Sequence, residues 1–180
     1  RFFLAGMIDE AIMMANICIR NRQFVQSYWL LAQCLYQKGR LKDAQFLLRQ
    51  SLESYRKHAF PYLLLARSYY AQQDHKQAIV LYERAMSLMK TLEVLFEYMK
   101  CLLEGGAYNT VLEKLAEVLK NKELTPLQRG EALYLQGAAY ARQEKYHSAF
   151  TSFQEAIQYF SLSRSHLHIY LDLGMSAYHS

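Results

Sequence analysis

One pattern of large and small residues occurs twice between residues 25 and 86, in the same register. Residues 28–32 are Tyr-Trp-Leu-Leu-Ala and residues 62–66 are Tyr-Leu-Leu-Leu-Ala, and a second alanine follows each copy at Ala44 and Ala78. The two copies are offset by 34 residues. A fixed period of this size indicates an array of repeated units, each of which buries its apolar face against the next. Such a chain stacks its units and needs no single central core.

The composition favours closely packed helices inside a cell. Of 180 residues, 52% are hydrophobic, with only 2 Pro and 7 Gly, which leaves little room for flexible linkers. No apolar run of about 18 residues occurs, so we expect no membrane span. The residues before Asp9 and Glu10 do not resemble a secretory signal, so we expect none. The three cysteines (Cys18, Cys34 and Cys101) are too few and too widely spaced for a disulfide framework, which favours a reducing, intracellular compartment.

No motif points to catalysis, a metal or a cofactor. Only His166 and His168 lie close together among the histidines, and their spacing does not match an i, i+4 metal pair. No nucleophile triad, phosphate loop or paired-carboxylate motif stands out. The net charge is +5, and basic and acidic residues are interleaved, so we expect no nucleic-acid partner. We predict a non-enzyme without catalytic residues, metal or cofactor, whose partners are proteins.

The period and its large/small spacing resemble the tetratricopeptide repeat. This resemblance implies an all-α fold, a right-handed superhelix (α-solenoid) of antiparallel helix hairpins. It covers almost the whole chain as a single array over 1–180, with a partial repeat at 1–24, full repeats at 25–58, 59–91, 92–129 and 130–166, and a partial repeat at 167–180. Thr125 is predicted to cap a helix that begins with Pro126. Cys34 and Cys101 fall in small-residue positions, where we expect packed thiols.

In this family the first helix of each hairpin lines a concave groove. Projected onto this chain, the resemblance predicts a protein-binding groove that is unusually aromatic and is formed by Trp29, Gln33, Tyr36, Phe60, Leu63, Arg67, Tyr70, Phe96, Lys100, Tyr134 and Arg142. Exposed apolar patches mark interfaces, and Trp, Tyr and Arg often dominate binding energy. The alternative is that the superhelix closes over these rings itself. With only Arg67 and Lys100 as suitably placed cations, an apolar helix or extended peptide fits better than a carboxylate tail.

A closer resemblance covers about residues 1–86. Residues 27–36 (Ser-Tyr-Trp-Leu-Leu-Ala-Gln-Cys-Leu-Tyr) and 63–70 (Leu-Leu-Leu-Ala-Arg-Ser-Tyr-Tyr) look like the early repeats of tetratricopeptide subunits of the anaphase-promoting complex. This resemblance implies an N-terminal homodimerisation domain in a scaffold subunit of a cell-cycle ubiquitin ligase, in the nucleus or cytoplasm. Two alternatives are a monomeric adaptor or co-chaperone that binds a client peptide in its concave groove, and a bacterial assembly or secretion chaperone with the same fold.

Overall fold

The computed structural model describes residues 7–20, 26–160, 172 and 175, and over these ranges it contains helices and turns but no strand. The helices are α1 (Ile8–Arg20), α2 (Gln26–Gln37), α3 (Leu41–Ser54), α4 (Ala59–Ala71), α5 (His75–Leu88), α6 (Leu92–Glu104), α7 (Tyr108–Lys120), α8 (Pro126–Arg142) and α9 (Tyr146–Ile157). The predicted all-α class is confirmed. In the described residues, no helix combines the length and the apolar character that a membrane crossing requires.

The chain divides into two compact units, residues 1–98 and 99–180, with the boundary inside α6. In the first unit each of α1 to α4 packs against the next helix in sequence, and α2 also contacts α4. In the second unit α7 packs against α8, and α8 against α9. The repeat boundaries stay a prediction. Parts of the two partial repeats, together with His166 and His168, lie outside the described residues.

Small residues allow the helices to approach closely. The fourth residue of α3, α5 and α9 is an alanine without exposed surface (Ala44, Ala78 and Ala149). In α8, Gly137 faces the ring of Phe153 from α9, and a Cβ atom added at Gly137 would lie 2.6 Å from two ring carbons. Real Cβ atoms do not approach another carbon so closely, so only glycine fits there without a shift of the helices.

The turn inside each hairpin has the same backbone geometry. The residue two positions before α3 and before α7 is glycine with positive φ, +75° at Gly39 and +83° at Gly106. The corresponding residues before α5 and α9 are Gln73 and Glu144, both with φ of 61°. This left-handed conformation is easy for glycine and unfavourable for other residues.

The start of α8 follows the sequence prediction. Thr125 precedes the helix and Pro126 is its first residue. The Thr125 hydroxyl accepts a hydrogen bond from the Gln128 backbone N–H at 3.3 Å, and the Gln128 side chain accepts one from the Thr125 backbone N–H at 3.0 Å. Two N–H groups that the helix cannot pair are thereby satisfied, so the predicted cap is confirmed.

Candidate protein-interaction site

An aromatic cluster lies at the start of α4 in the first unit. The ring of Trp29 from α2 is centred 5.7 Å from Phe60 of α4 and 5.4 Å from His58, which immediately precedes α4. Tyr55 meets the indole edge-on at 6.5 Å. Trp29 and Phe60 are half-buried, while Tyr55 and His58 are exposed. The Trp29 Nε1 atom is buried and has no acceptor among the described residues, a costly arrangement that an acceptor from a ligand would relieve.

The structure brings the rings of Trp29 and Phe60 into contact, and it adds two residues that sequence reasoning missed. Tyr55 and His58 lie in the loop between α3 and α4, outside the helix positions from which the groove was projected. The signal that could have found them is their place in the repeat, because a loop that leads into a groove helix borders the same groove.

The other predicted groove residues of α2 and α4 are partly accessible. Gln33, Tyr36 and Tyr70 are half-buried, and the Tyr70 ring packs edge-on against His75 at 5.5 Å. Trp29, Gln33 and Tyr36 follow i, i+4, i+7 spacing, so they share one face of α2. These residues remain candidates for contact with a partner.

The structure corrects the prediction at Leu63 and Phe96. Their exposed fractions are 5% and 4%, so both are core residues in this conformation. The reason is that α4 contacts α2, α3 and α5, so its apolar run 63–66 is covered on several sides at once. On α6, Val94 and Tyr98 are also buried, and they point to other sides of the helix than Phe96, so this part of α6 is covered on more than one side. The alternative that the fold closes over some of these side chains therefore applies at these two positions.

The predicted cation of the first unit is already paired. Arg67 donates two hydrogen bonds to the Glu97 carboxylate, from Nε to Oε2 at 2.7 Å and from Nη2 to Oε1 at 2.6 Å. The Tyr82 hydroxyl donates to the same carboxylate at 3.3 Å. The hydrogen bond to Glu97 is the main cause that raises the pKa of Arg67. An acidic ligand would have to displace a two-fold, charge-assisted contact to reach this guanidinium.

The predicted cations of the second unit also contact carboxylates, each through a single nitrogen. The Lys100 ammonium contacts the Glu131 carboxylate at 2.6 Å, and the Arg142 guanidinium lies 3.4 Å from Glu104. Sequence reasoning missed these acidic partners. The available signal was the spacing, because Glu97 follows Arg67 by 30 residues and Glu131 follows Lys100 by 31, which is close to one repeat length.

Tyr134 is held inside the second unit. Its ring packs against Phe153 at 5.6 Å between centroids, and its hydroxyl donates to Asp172 at 2.9 Å. Burial is the main cause that raises the pKa of Tyr134, with the Asp172 contact second. The side chain is half-buried, so only part of it is accessible to a partner.

The cysteines behave as packed residues. Cys34 and Cys101 have no exposed surface. Burial raises the pKa of both thiols, that of Cys101 to about 11. Because the thiolate is the reactive form of cysteine, these two side chains are suited to packing, and the predicted packed thiols are confirmed.

Removal of one partner of the Arg67–Glu97 pair tests how much the pair stabilises the first unit. Both side chains are about one-third exposed, so we expect Glu97→Ala to cost about 1–2 kcal/mol, less than a fully buried pair. A double-mutant cycle with Arg67→Ala, followed by urea unfolding, should give a coupling energy of about 1 kcal/mol. The exposed Arg40–Asp43 pair is the control, with expected coupling of about 0–0.5 kcal/mol. Equal coupling in both cycles would contradict this account.

The comparisons with known families agree with the geometry. Residues 5–85 match the family model described as anaphase-promoting complex, cyclosome, subunit 3, and residues 131–163 match the tetratricopeptide repeat model. The chain has the tetratricopeptide repeat fold. Its first part is similar to an anaphase-promoting complex subunit, as the sequence predicted. No curated protein sequence matches the chain.

Solved structures with the same fold include three informative relatives. The anaphase-promoting complex hetero-tetramer Cut9–Hcn1 matches with a TM-score of 0.74 at 14% identity, over 97% of this chain and 34% of that chain. MamA (residue 41 to the end) from Desulfovibrio magneticus RS-1 matches with a TM-score of 0.68 at 18% identity, over 86% of this chain and 89% of that chain. YrrB, described as a tetratricopeptide protein with an unusual peptide-binding site, matches with a TM-score of 0.68 at 18% identity. The match covers 91% of this chain and 81% of that chain. These likenesses confirm the tetratricopeptide solenoid fold.

Proposed function

We propose that this tetratricopeptide array is a homodimerising scaffold in an assembly like the anaphase-promoting complex, a cell-cycle ubiquitin ligase, and that it has no catalytic role of its own. The observation that carries this proposal is the match of residues 5–85 to subunit 3 of that complex. The matched segment belongs to the same unit as the Trp29 cluster. The proposal places the protein in the nucleus or cytoplasm.

The chemistry of the first unit supports a neutral, apolar partner. Trp29, Tyr36, Phe60 and Tyr70 keep part of their surface accessible, and the neighbouring cation, Arg67, is neutralised by its own chain. Such a surface gains most from burial of apolar area and least from an added acidic group. A helix of a second copy meets this requirement, because α1 exposes apolar side chains such as Met14 (57%) and Ile17 (46%).

The first test is absolute mass from light scattering after size exclusion, across a dilution series. We expect a mass of about 42 kDa, twice the 21.1 kDa of the chain, that persists to low micromolar concentration. A mass near 21 kDa at every concentration contradicts the homodimer.

Substitution of the accessible rings tests the site itself. The double variant Trp29→Ala with Tyr70→Ala should weaken self-association at least tenfold, because aromatic anchors dominate interface energies, while far-UV circular dichroism stays unchanged. Leu127→Ala removes another exposed apolar side chain (58% exposed) outside the predicted groove, and it should leave association unchanged. Unchanged association together with lost helicity in the double variant would mean that these rings belong to the core.

The alternative is a monomeric adaptor or co-chaperone whose groove binds a client peptide. It is supported by the likeness in fold to YrrB, for which a peptide-binding site is reported. A monomer whose thermal stability rises with an added apolar peptide would favour this alternative over the homodimer.

A further inference from the structure

A row of exposed apolar side chains runs along the first unit, away from the predicted groove. The sixth residue of α1, α3 and α5 is Met13, Phe46 and Val80, with exposed fractions of 58%, 62% and 60%. In the second unit the sixth residues of α7 and α9 are Glu113 and Thr151, which are also exposed. The same helix position is therefore apolar throughout the first unit and polar in the second.

This contrast indicates that the exposed apolar residues of the first unit are not scattered at random over its surface. Single exposed apolar residues are common and need no explanation. Here, however, the equivalent position of α7 and α9 can be compared directly. It carries the polar residues that a solvent-facing helix position ordinarily has. In a tetratricopeptide array, successive hairpins are related by a small rotation, so equivalent positions line up in a row. We therefore expect Met13, Phe46 and Val80 to lie in one row across three helices.

Two positive charges accompany the apolar side chains of α3 and α5, whereas the second residue of α1, Asp9, is acidic. The second residue of α3 and of α5 is Lys42 and Lys76, both exposed. Each lysine stands four residues before Phe46 or Val80, which places it on the same helix face. Neither lysine makes an ion pair with a described residue, whereas the nearby Asp43 is paired with Arg40. This face therefore combines accessible apolar area with two cations that are available to a partner.

We propose that Phe46 and Val80, together with Lys42 and Lys76, form a docking surface for an amphipathic helix of another protein. The partner helix carries acidic residues along one edge of its apolar stripe. An apolar stripe runs the whole length of such a helix, so a helix laid across α3 and α5 covers both apolar side chains. Its carboxylates then pair with the two lysines. This surface lies on α3 and α5, whereas the groove residues of the first unit were predicted on α2, α4 and α6.

The test is selection from a displayed library of helical peptides. The library is selected on the wild-type protein. The affinity of each enriched peptide is then measured for the wild type and for the double variant Phe46→Ser with Val80→Ser. We expect enriched peptides with apolar residues at i, i+3/i+4 and i+7 beside Asp or Glu, and at least tenfold weaker binding to the double variant. The double variant Lys42→Glu with Lys76→Glu should weaken binding of the acidic peptides and favour peptides in which Lys replaces Asp or Glu.

The matched control is Glu113→Ala with Thr151→Ala, which alters the same helix position in the second unit and should leave peptide binding unchanged. Thermal melting of every variant checks that the fold is intact. Peptides that bind the Phe46/Val80 variant as well as the wild type overturn the proposal, as does a selection that enriches no acidic amphipathic sequence. A loss of self-association in that variant would assign the face to a second copy of this chain and would also overturn the proposal.

Discussion

Gly137→Val is expected to destabilise the second unit by about 2–3 kcal/mol, with a fall in Tm of about 5–10 °C. A Cβ atom at this position would lie 2.6 Å from two carbons of the Phe153 ring. That ring is 1% exposed, so it has no free space into which it can move. Relief requires α8 and α9 to separate, and their separation would expose the apolar surface between them. Thermal unfolding followed by circular dichroism measures the effect.

The control for this prediction is Ala116→Leu on α7. Ala116 is exposed, so the larger side chain meets solvent and should change Tm by about 2 °C or less. If Gly137→Val melts at the wild-type temperature, the two helices do not approach as closely as the structure shows. A smaller residue at Phe153 should partly rescue the valine variant, because the clash is with that ring.

Ala78→Leu is expected to destabilise the first unit by a similar amount, about 2–3 kcal/mol. Ala78 and Ala85 lie two turns apart on the buried face of α5, and neither has any exposed surface. This face packs against α4, whose residues 63–66 are themselves buried. Three added carbon atoms cannot enter that contact unless the two helices move apart. Urea unfolding should show a lower midpoint with an unchanged slope.

The neighbouring substitution Gln77→Leu separates overpacking from a general effect of leucine. Gln77 lies on the same helix and is exposed, so the added apolar side chain should leave the urea midpoint close to the wild-type value. If both leucine variants unfold at the same urea concentration as the wild type, the close contact between α4 and α5 is absent in solution.

The helices could be predicted from the sequence because local signals agreed with one another. The 34-residue offset placed α2 to α5, and the Thr125–Pro126 pair placed the start of α8. The small-residue positions also predicted that Cys34 and Cys101 would be packed. In each case the signal lies within one or two turns of the residue that it describes.

The site was harder to predict because its properties depend on neighbouring helices. Leu63 was expected to face a groove, but α4 is apolar over most of its circumference and three helices cover it. A helix that is apolar all round has no single face that its sequence can identify. The pairing of Arg67 with Glu97 likewise depends on which helix follows α4 in space, a relation that composition and net charge do not contain.

The turns divide the hairpins into two kinds with different folding requirements. The α2–α3 turn contains Gly39, which enters the left-handed region freely, whereas the α4–α5 turn must force Gln73 into it. The α8–α9 turn, with Glu144, repeats the second arrangement. The α4–α5 and α8–α9 pairs also pack together more extensively than α2 and α3. In these two hairpins the contact between the helices, and not the turn, keeps the hairpin closed. When such a hairpin opens locally, Gln73 or Glu144 can leave the left-handed conformation, so opening releases backbone strain.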